Sequence, residues 1–150
     1  MLAIHPEIQE NLYQEIQEVC GNQLPSFTDI PNMTYCMCIM YEVMRIFPVI
    51  GNLPTRTEKD QILLGKHLIP KNTGVGIDLV SLHRNEKYWG NNCNEFDPSR
   101  FDNRIPHSDE AQKWQTLTDG KLRIPEKGAY FAFGEGPRAC LGRSWLHRYR

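Results

Sequence analysis

The sequence predicts a mixed α and β fold in which helix predominates. Three observations carry that expectation. Residues 6–20 repeat apolar side chains at helical spacing, residues 33–47 read as a second helix that is apolar on most sides, and residues 62–79 change to short strand-like runs.

The first helix follows from Ile8, Leu12, Ile16 and Val19, with Glu and Gln between them. Pro6 suits its first turn, and Glu7 and Glu10 suit the positive end of its dipole. Gly21-Asn22 supplies the stop. A loop with Pro25 and Pro31 leads to the second helix, roughly Met33 to Phe47, with Thr28 and Asp29 as candidate caps. Met33, Cys36, Met37, Ile39, Met40, Tyr41, Val43, Met44 and Ile46 leave it no polar face, so it belongs inside the protein. Pro48 and Gly51 end it.

Ile62-Leu63-Leu64, Gly65-Lys66 and His67-Leu68-Ile69 read as a short hairpin. Val75, Ile77 and Leu79 alternate like a half-buried strand. Residues 81–130 read as mostly irregular, and the polar, proline-broken stretch Asp102–Gly128 reads as a surface loop. Residues 131–142 are glycine-rich and tight around Cys140, and the last eight residues begin a further helix in which four are Arg or His.

Composition limits the function. Seventeen Lys and Arg against 18 Asp and Glu give a net charge of −1 over 150 residues, which argues against a general nucleic-acid binder. Hydrophobic residues at 40% suffice for a core. No apolar run approaches the roughly 20 residues that span a bilayer, and the start of the chain lacks the pattern of a signal peptide. Five cysteines at irregular spacing make a poor disulfide framework and suit free thiols. Cys36 and Cys38 diverge on a helix and have no second pair, and His5, His67, His107 and His147 lack zinc-like spacing. His83 reads as a structural histidine rather than a ligand.

The strongest signal is Phe133-Gly134-Glu135-Gly136-Pro137-Arg138-Ala139-Cys140-Leu141-Gly142, which sets Phe, Gly, Arg, Cys and Gly at fixed offsets. The segment resembles the heme-binding loop of the cytochrome P450 family. The resemblance implies heme b as cofactor, Cys140 as the axial iron ligand, Phe133 as its shield and Arg138 as a contact of a heme propionate. Gly136 and Gly142 fit such a loop, because a thiolate is screened by backbone N–H groups that glycine lets approach closely.

Glu42-Val43-Met44-Arg45 is the second signal. A Glu and Arg three apart decorate many exposed helices, but these two sit among Met40, Tyr41, Ile46 and Phe47, where buried charges must pair. The resemblance makes them the Glu-x-x-Arg pair of the family's K helix. Phe96-Asp97-Pro98-Ser99-Arg100-Phe101 then places Arg100 as the third member of a structural triad that supports the cysteine loop. Leu53-Pro54-Thr55-Arg56 resembles the strand whose Arg reaches a propionate. Ile69-Pro70-Lys71-Asn72-Thr73, His83-Arg84-Asn85 and Tyr88-Trp89-Gly90 extend the likeness over nearly all of residues 5–143.

On this resemblance the chain is expected to be the C-terminal portion of a cytochrome P450 domain. It would run from the J helix to the cysteine loop, be truncated at both ends, and be inactive by itself. The preceding helix with its acid–alcohol pair and the membrane anchor of the endoplasmic-reticulum members are not among these residues. Ser144-Trp145-Leu146-His147-Arg148-Tyr149-Arg150 departs from the apolar helix expected there and suggests a frame-shift. The implied activity of the parent is that of a heme-thiolate monooxygenase, taking O₂, an unidentified organic substrate and electrons from an NADPH-dependent reductase. A non-catalytic heme-binding remnant stays open, as does an isomerase or dehydratase that needs no reductase. Arg138, Arg143, His147, Arg148 and Arg150 form either a docking patch for an acidic electron donor or a solvated tail.

Overall fold

A computed structural model describes residues 1–106, 114–116, 120–125 and 128–142. The principal elements are α1 (Pro6–Cys20), α2 (Thr34–Ile46), β1 (Asn52–Arg56), β2 (Gln61–Leu63), β3 (His67–Ile69), β4 (Gly74–Asp78), α3 (Leu79–Leu82), α4 (Glu86–Trp89), β5 (Trp114–Thr116) and β6 (Arg123–Pro125). Single 3-10 turns occur at Leu2–Ile4, Ile30–Asn32, Pro98–Phe101 and Gly136–Arg138.

Helix α1 has Pro6 in its first turn, buries Ile8, half-buries Leu12, Ile16 and Val19, and ends at Gly21. Helix α2 has no exposed residue, as an all-round apolar helix requires. Its N-terminus differs from the expected Thr28/Asp29 cap. Asp29 instead takes the Ser26 N–H at 2.8 Å, and Met33 stands at the cap position without a side-chain bond. The free N–H groups of α2 go to another helix: Glu15 of α1 accepts those of Tyr35 and Cys36 at 2.6 and 2.8 Å. A carboxylate there also meets the positive end of the dipole.

The expected hairpin forms between β2 and β3, with Ile62 opposite Leu68 and a turn at Leu64 and Gly65, whose φ values are 53° and 72°. It is enclosed by a second antiparallel pair, β1 with β4, in which Leu53 faces Ile77 and Arg56 faces Gly74. The alternation seen at Val75, Ile77 and Leu79 stops at Asp78. Its carboxylate accepts the Ser81 N–H at 3.1 Å and starts α3, where Leu79 is buried.

Residues 81–130 are mostly irregular where described, as expected, apart from α4, capped by Asn85, the turn at Pro98–Phe101, capped by Asp97, and the pair β5–β6. One expectation needs correction: the stretch from Asp102 to Gly128 is not wholly a surface loop. Asp102 pairs across an isolated bridge with Leu122, and both are buried with Arg123 and Pro125. The polar sequence conceals this because Arg123 is buried on carbonyls, donating to those of Arg100 and Ile105 at 2.7 and 2.8 Å.

The core lies on two sides of α2. One cluster joins Met37, Cys38 and Tyr41 to Trp89, Cys93, Phe101 and Leu122, with Tyr130 and Phe133 packed on it. The other joins Ile39 and Ile46 to Ile8 and Phe96. Side chains such as Trp89 and Phe101 stabilise the fold by about 1.5–3 kcal/mol each on burial. Helix α2 is thus the common wall on which the loop carrying Cys140 is mounted.

Candidate functional site

The structure brings Glu42, Arg45 and Arg100 together. Arg45 and Glu42 form a two-pronged pair, Nε to Oε2 at 2.6 Å and Nη2 to Oε1 at 2.8 Å, with neither residue exposed. The other Arg45 donors reach the carbonyls of His83 (2.8 Å), Cys93 (2.6 Å) and Glu95 (2.9 Å). All five guanidinium N–H groups are therefore used, and the guanidinium also lies 4.9 Å over the Trp89 ring. Glu42 Oε1 accepts the Asp97 N–H at 2.9 Å and stands 3.5 Å from Arg100 Nε. Arg100 binds the Trp89 carbonyl (3.0 Å) and both the side-chain and main-chain oxygens of Asn92 (2.8 and 2.6 Å). Burial pushes the Glu42 carboxyl up, and Arg45, the Asp97 N–H and Arg100 pull it back.

This cluster fastens residues 83–100, a segment with little regular structure of its own, to α2. Carbonyls that would otherwise be buried without donors find them on two guanidiniums.

The cysteine loop begins where that segment and α2 meet. Tyr130 donates its hydroxyl to the Tyr41 carbonyl of α2 at 3.1 Å. The Phe131 N–H donates to His83 Nε2 at 2.9 Å. A turn follows, with the Gly134 N–H on the Phe131 carbonyl at 2.9 Å, and the Cys140 N–H returns to the Phe133 carbonyl at 2.8 Å. Between these lies the turn Gly136–Arg138, where Gly136 takes φ 73°, a conformation that disfavours a side chain. A Cβ on Gly142 would come 3.5 Å from Cys140 Sγ, so the backbone there runs directly beside the sulfur. Cys140 is exposed, Cys20 and Cys36 are half-buried, and Cys38 and Cys93 are buried. Burial pushes the Cys38 thiol up to about 12, as expected of an inert core cysteine.

Phe133 is half-buried against the core cluster that holds Trp89 and Phe101. Arg56 and Arg138 line one open groove of about 870 Å³ together with Pro54, Thr55, Lys59 and Gly74. Arg56 is steadied by the Asn72 carbonyl at 3.0 Å. Three cations on one groove suit an anionic guest, with Glu58 the one carboxylate among its lining residues. Arg143, His147, Arg148 and Arg150, the rest of the cationic end, lie outside the described residues, as does His107. Among the described residues no three His, Cys, Asp or Glu side chains gather as a metal site, and no helix is long and apolar enough to cross a membrane.

Glu15 and Tyr130 escape the sequence reading, and for His83, read there as structural, it is the partner that escapes. A single Glu, His or Tyr carries no periodic or spacing signal. What marks these three is a partner 20, 48 or 89 residues away.

The comparisons with known proteins agree with this geometry. The family described as Cytochrome P450 matches residues 1–144. The chain is 34% identical over 145 residues to an 11-oxo-beta-amyrin 30-oxidase of Glycyrrhiza uralensis, covering 97% of this chain and 25% of that protein. It is 32% identical over 146 residues to secologanin synthase 1 of Catharanthus roseus, again 97% of this chain and 25% of the other. Among solved structures, the cytochrome P450DA heme domain superposes with a TM-score of 0.72 at 24% identity, over 99% of this chain and 29% of that one. The chain thus spans about a quarter of the length of these relatives. Heme is the cofactor of such domains. An exposed cysteine beside a close-running backbone, a cationic groove and a match over residues 1–144 lead to one assignment: the chain belongs to the cytochrome P450 family.

Proposed function

We propose that this chain forms the cysteine-bearing wall of a heme-thiolate monooxygenase, as part of a larger cytochrome P450 domain. The observation that carries the reading is the presentation of Cys140. It is exposed on a loop anchored at its lead-in and closed on itself by the Cys140 N–H to Phe133 carbonyl bond, with the Gly142 backbone beside its sulfur, while the other four cysteines are withdrawn.

These residues fit a heme. Cys140 would ligate the iron as a thiolate and donate electron density to it. Gly136 and Gly142 let the loop turn and approach without a side chain intervening. Phe133 would limit water at the sulfur, since its ring is fixed against the core. Arg56 and Arg138 would pair with the two propionates at their shared groove. Glu42, Arg45 and Arg100 touch no substrate in this scheme and keep the loop's support rigid. When bound, the heme would supply the iron at which O₂ is activated with two electrons and two protons, so that one oxygen atom enters an organic substrate and the other leaves as water. An NADPH-dependent reductase would deliver those electrons.

The test uses the full gene product isolated with heme. Reduction under carbon monoxide is expected to give the red-shifted Soret band of thiolate-ligated ferrous heme. Cys140→Ala is expected to abolish that band, and its persistence would overturn the assignment. NADPH consumption coupled to substrate oxidation, with a reductase present, distinguishes a monooxygenase from an isomerase or dehydratase.

A further inference from the structure

His83 has no exposed surface and sits where the triad, the core cluster and the cysteine loop meet. Its main-chain carbonyl accepts Arg45 Nη1 at 2.8 Å, so its backbone is held by the triad. Its side chain binds the cysteine loop. Nε2 accepts the Phe131 N–H at 2.9 Å, while the ring stacks on Tyr130 at 5.1 Å and meets the Trp89 ring edge-on at 6.5 Å.

An N–H can donate only to an unprotonated ring nitrogen. That assigns the neutral tautomer with its proton on Nδ1. Nδ1 is itself buried with no hydrogen-bond partner. A side chain present merely to fill this space would do better apolar, because an unmatched buried N–H costs stability. The polar function of the imidazole is spent on one bond, and that bond goes to the first residue of the cysteine loop. From Phe131 the connection continues through its carbonyl to the Gly134 N–H, and from Phe133 to the Cys140 N–H.

We propose that His83 is a positioning residue for the cysteine loop: its Nε2 acceptor locks the lead-in at Phe131 so that Cys140 is held in place as a thiolate ligand. The proposal rests on the heme-thiolate reading given above, and no part of that reading assigns His83 a role.

Two substitutions separate an acceptor from a filler. His83→Gln offers an oxygen near the place of Nε2, whereas His83→Phe keeps the ring and its stacking on Tyr130 but accepts nothing. The full gene product with heme is reduced under carbon monoxide in mild urea, and conversion of the thiolate-type Soret band to the thiol-type band is followed in time. Loss of one buried hydrogen bond predicts conversion about tenfold faster in His83→Phe. His83→Gln should stay within about threefold of wild type, since the acceptor is restored. Conversion of His83→Phe at the wild-type rate, or equal acceleration in both variants, overturns the inference and leaves the heme-thiolate reading standing. Absence of the thiolate band in wild type removes that reading and the inference with it. Should His83→Phe fail to fold, hydrogen exchange in wild type decides. Protection of the Phe131 amide beyond about tenfold supports the bond, and less than that overturns it.

Discussion

Arg45 shows how much one side chain can hold. Its guanidinium neutralises Glu42 and gathers three carbonyls from residues 83, 93 and 95. Truncation would leave a buried carboxylate and those carbonyls without donors. Arg45→Ala is therefore expected to destabilise the protein by about 3–5 kcal/mol, read as a fall in the urea midpoint. Arg45→Lys should recover little of this, because an ammonium has three donors and no planar fork. The charge pair itself was legible in the sequence, since Glu42 and Arg45 stand one helical turn apart among apolar residues. The carbonyl partners were not, because main-chain acceptors leave no mark in a sequence. The role proposed for Cys140 rests on the most specific pattern in the sequence, since a thiolate loop would demand particular residue types at particular offsets.

At the level of elements, the sequence reading succeeds where partners are near in the chain. Helix α1 has the bounds its periodicity implied, Pro6–Cys20, and the hairpin turns at Leu64 and Gly65. It falls short where pairing is distant. Leu53 and Ile77 lie in two recognisable segments, yet nothing local says that β1 pairs with β4 around an intervening hairpin. The start of α2 is the clearest case. Local chemistry favoured Asp29 as its cap, but the acceptor is Glu15, 20 residues before Tyr35. That carboxylate ties α1 to α2 by two N–H bonds and faces the helix dipole. Glu15→Ala is expected to cost about 1–2 kcal/mol, and Glu15→Gln less, measured by chemical denaturation.

Over the whole molecule, α2 is the shared wall of both core clusters, and the loop of Cys140 hangs from it through Tyr130 and from the triad segment through His83. Global stability should therefore respond to the state of His83. Burial, reinforced by the nearby Arg45 charge and opposed by the main chain of Arg45 and Met44, brings its imidazole from the usual 6.5 down to about 4. The unfolded chain then binds a proton that the folded protein refuses between those values. Stability is unaffected above about pH 6.5 and declines as pH falls from there toward 4. The expected loss between pH 7 and pH 5 is about 2 kcal/mol. Urea titrations of wild type and His83→Gln check it, since the variant should lack this part of the decline.

The reach of the buried ion pair has a consequence for how the chain acquires its shape. Glu42 and Arg45 can meet as soon as one helical turn forms, but their other bonds close over 38 to 55 residues. Segments of that length cost several kcal/mol of chain entropy to bring together before any contact compensates. The segment around residues 83–100 should therefore dock late, in one cooperative step. Until then a nascent chain carries an apolar helix with an unsatisfied pair of charges at its centre. The feature that makes the finished wall rigid is also the one that makes its assembly slow and its intermediates prone to aggregate.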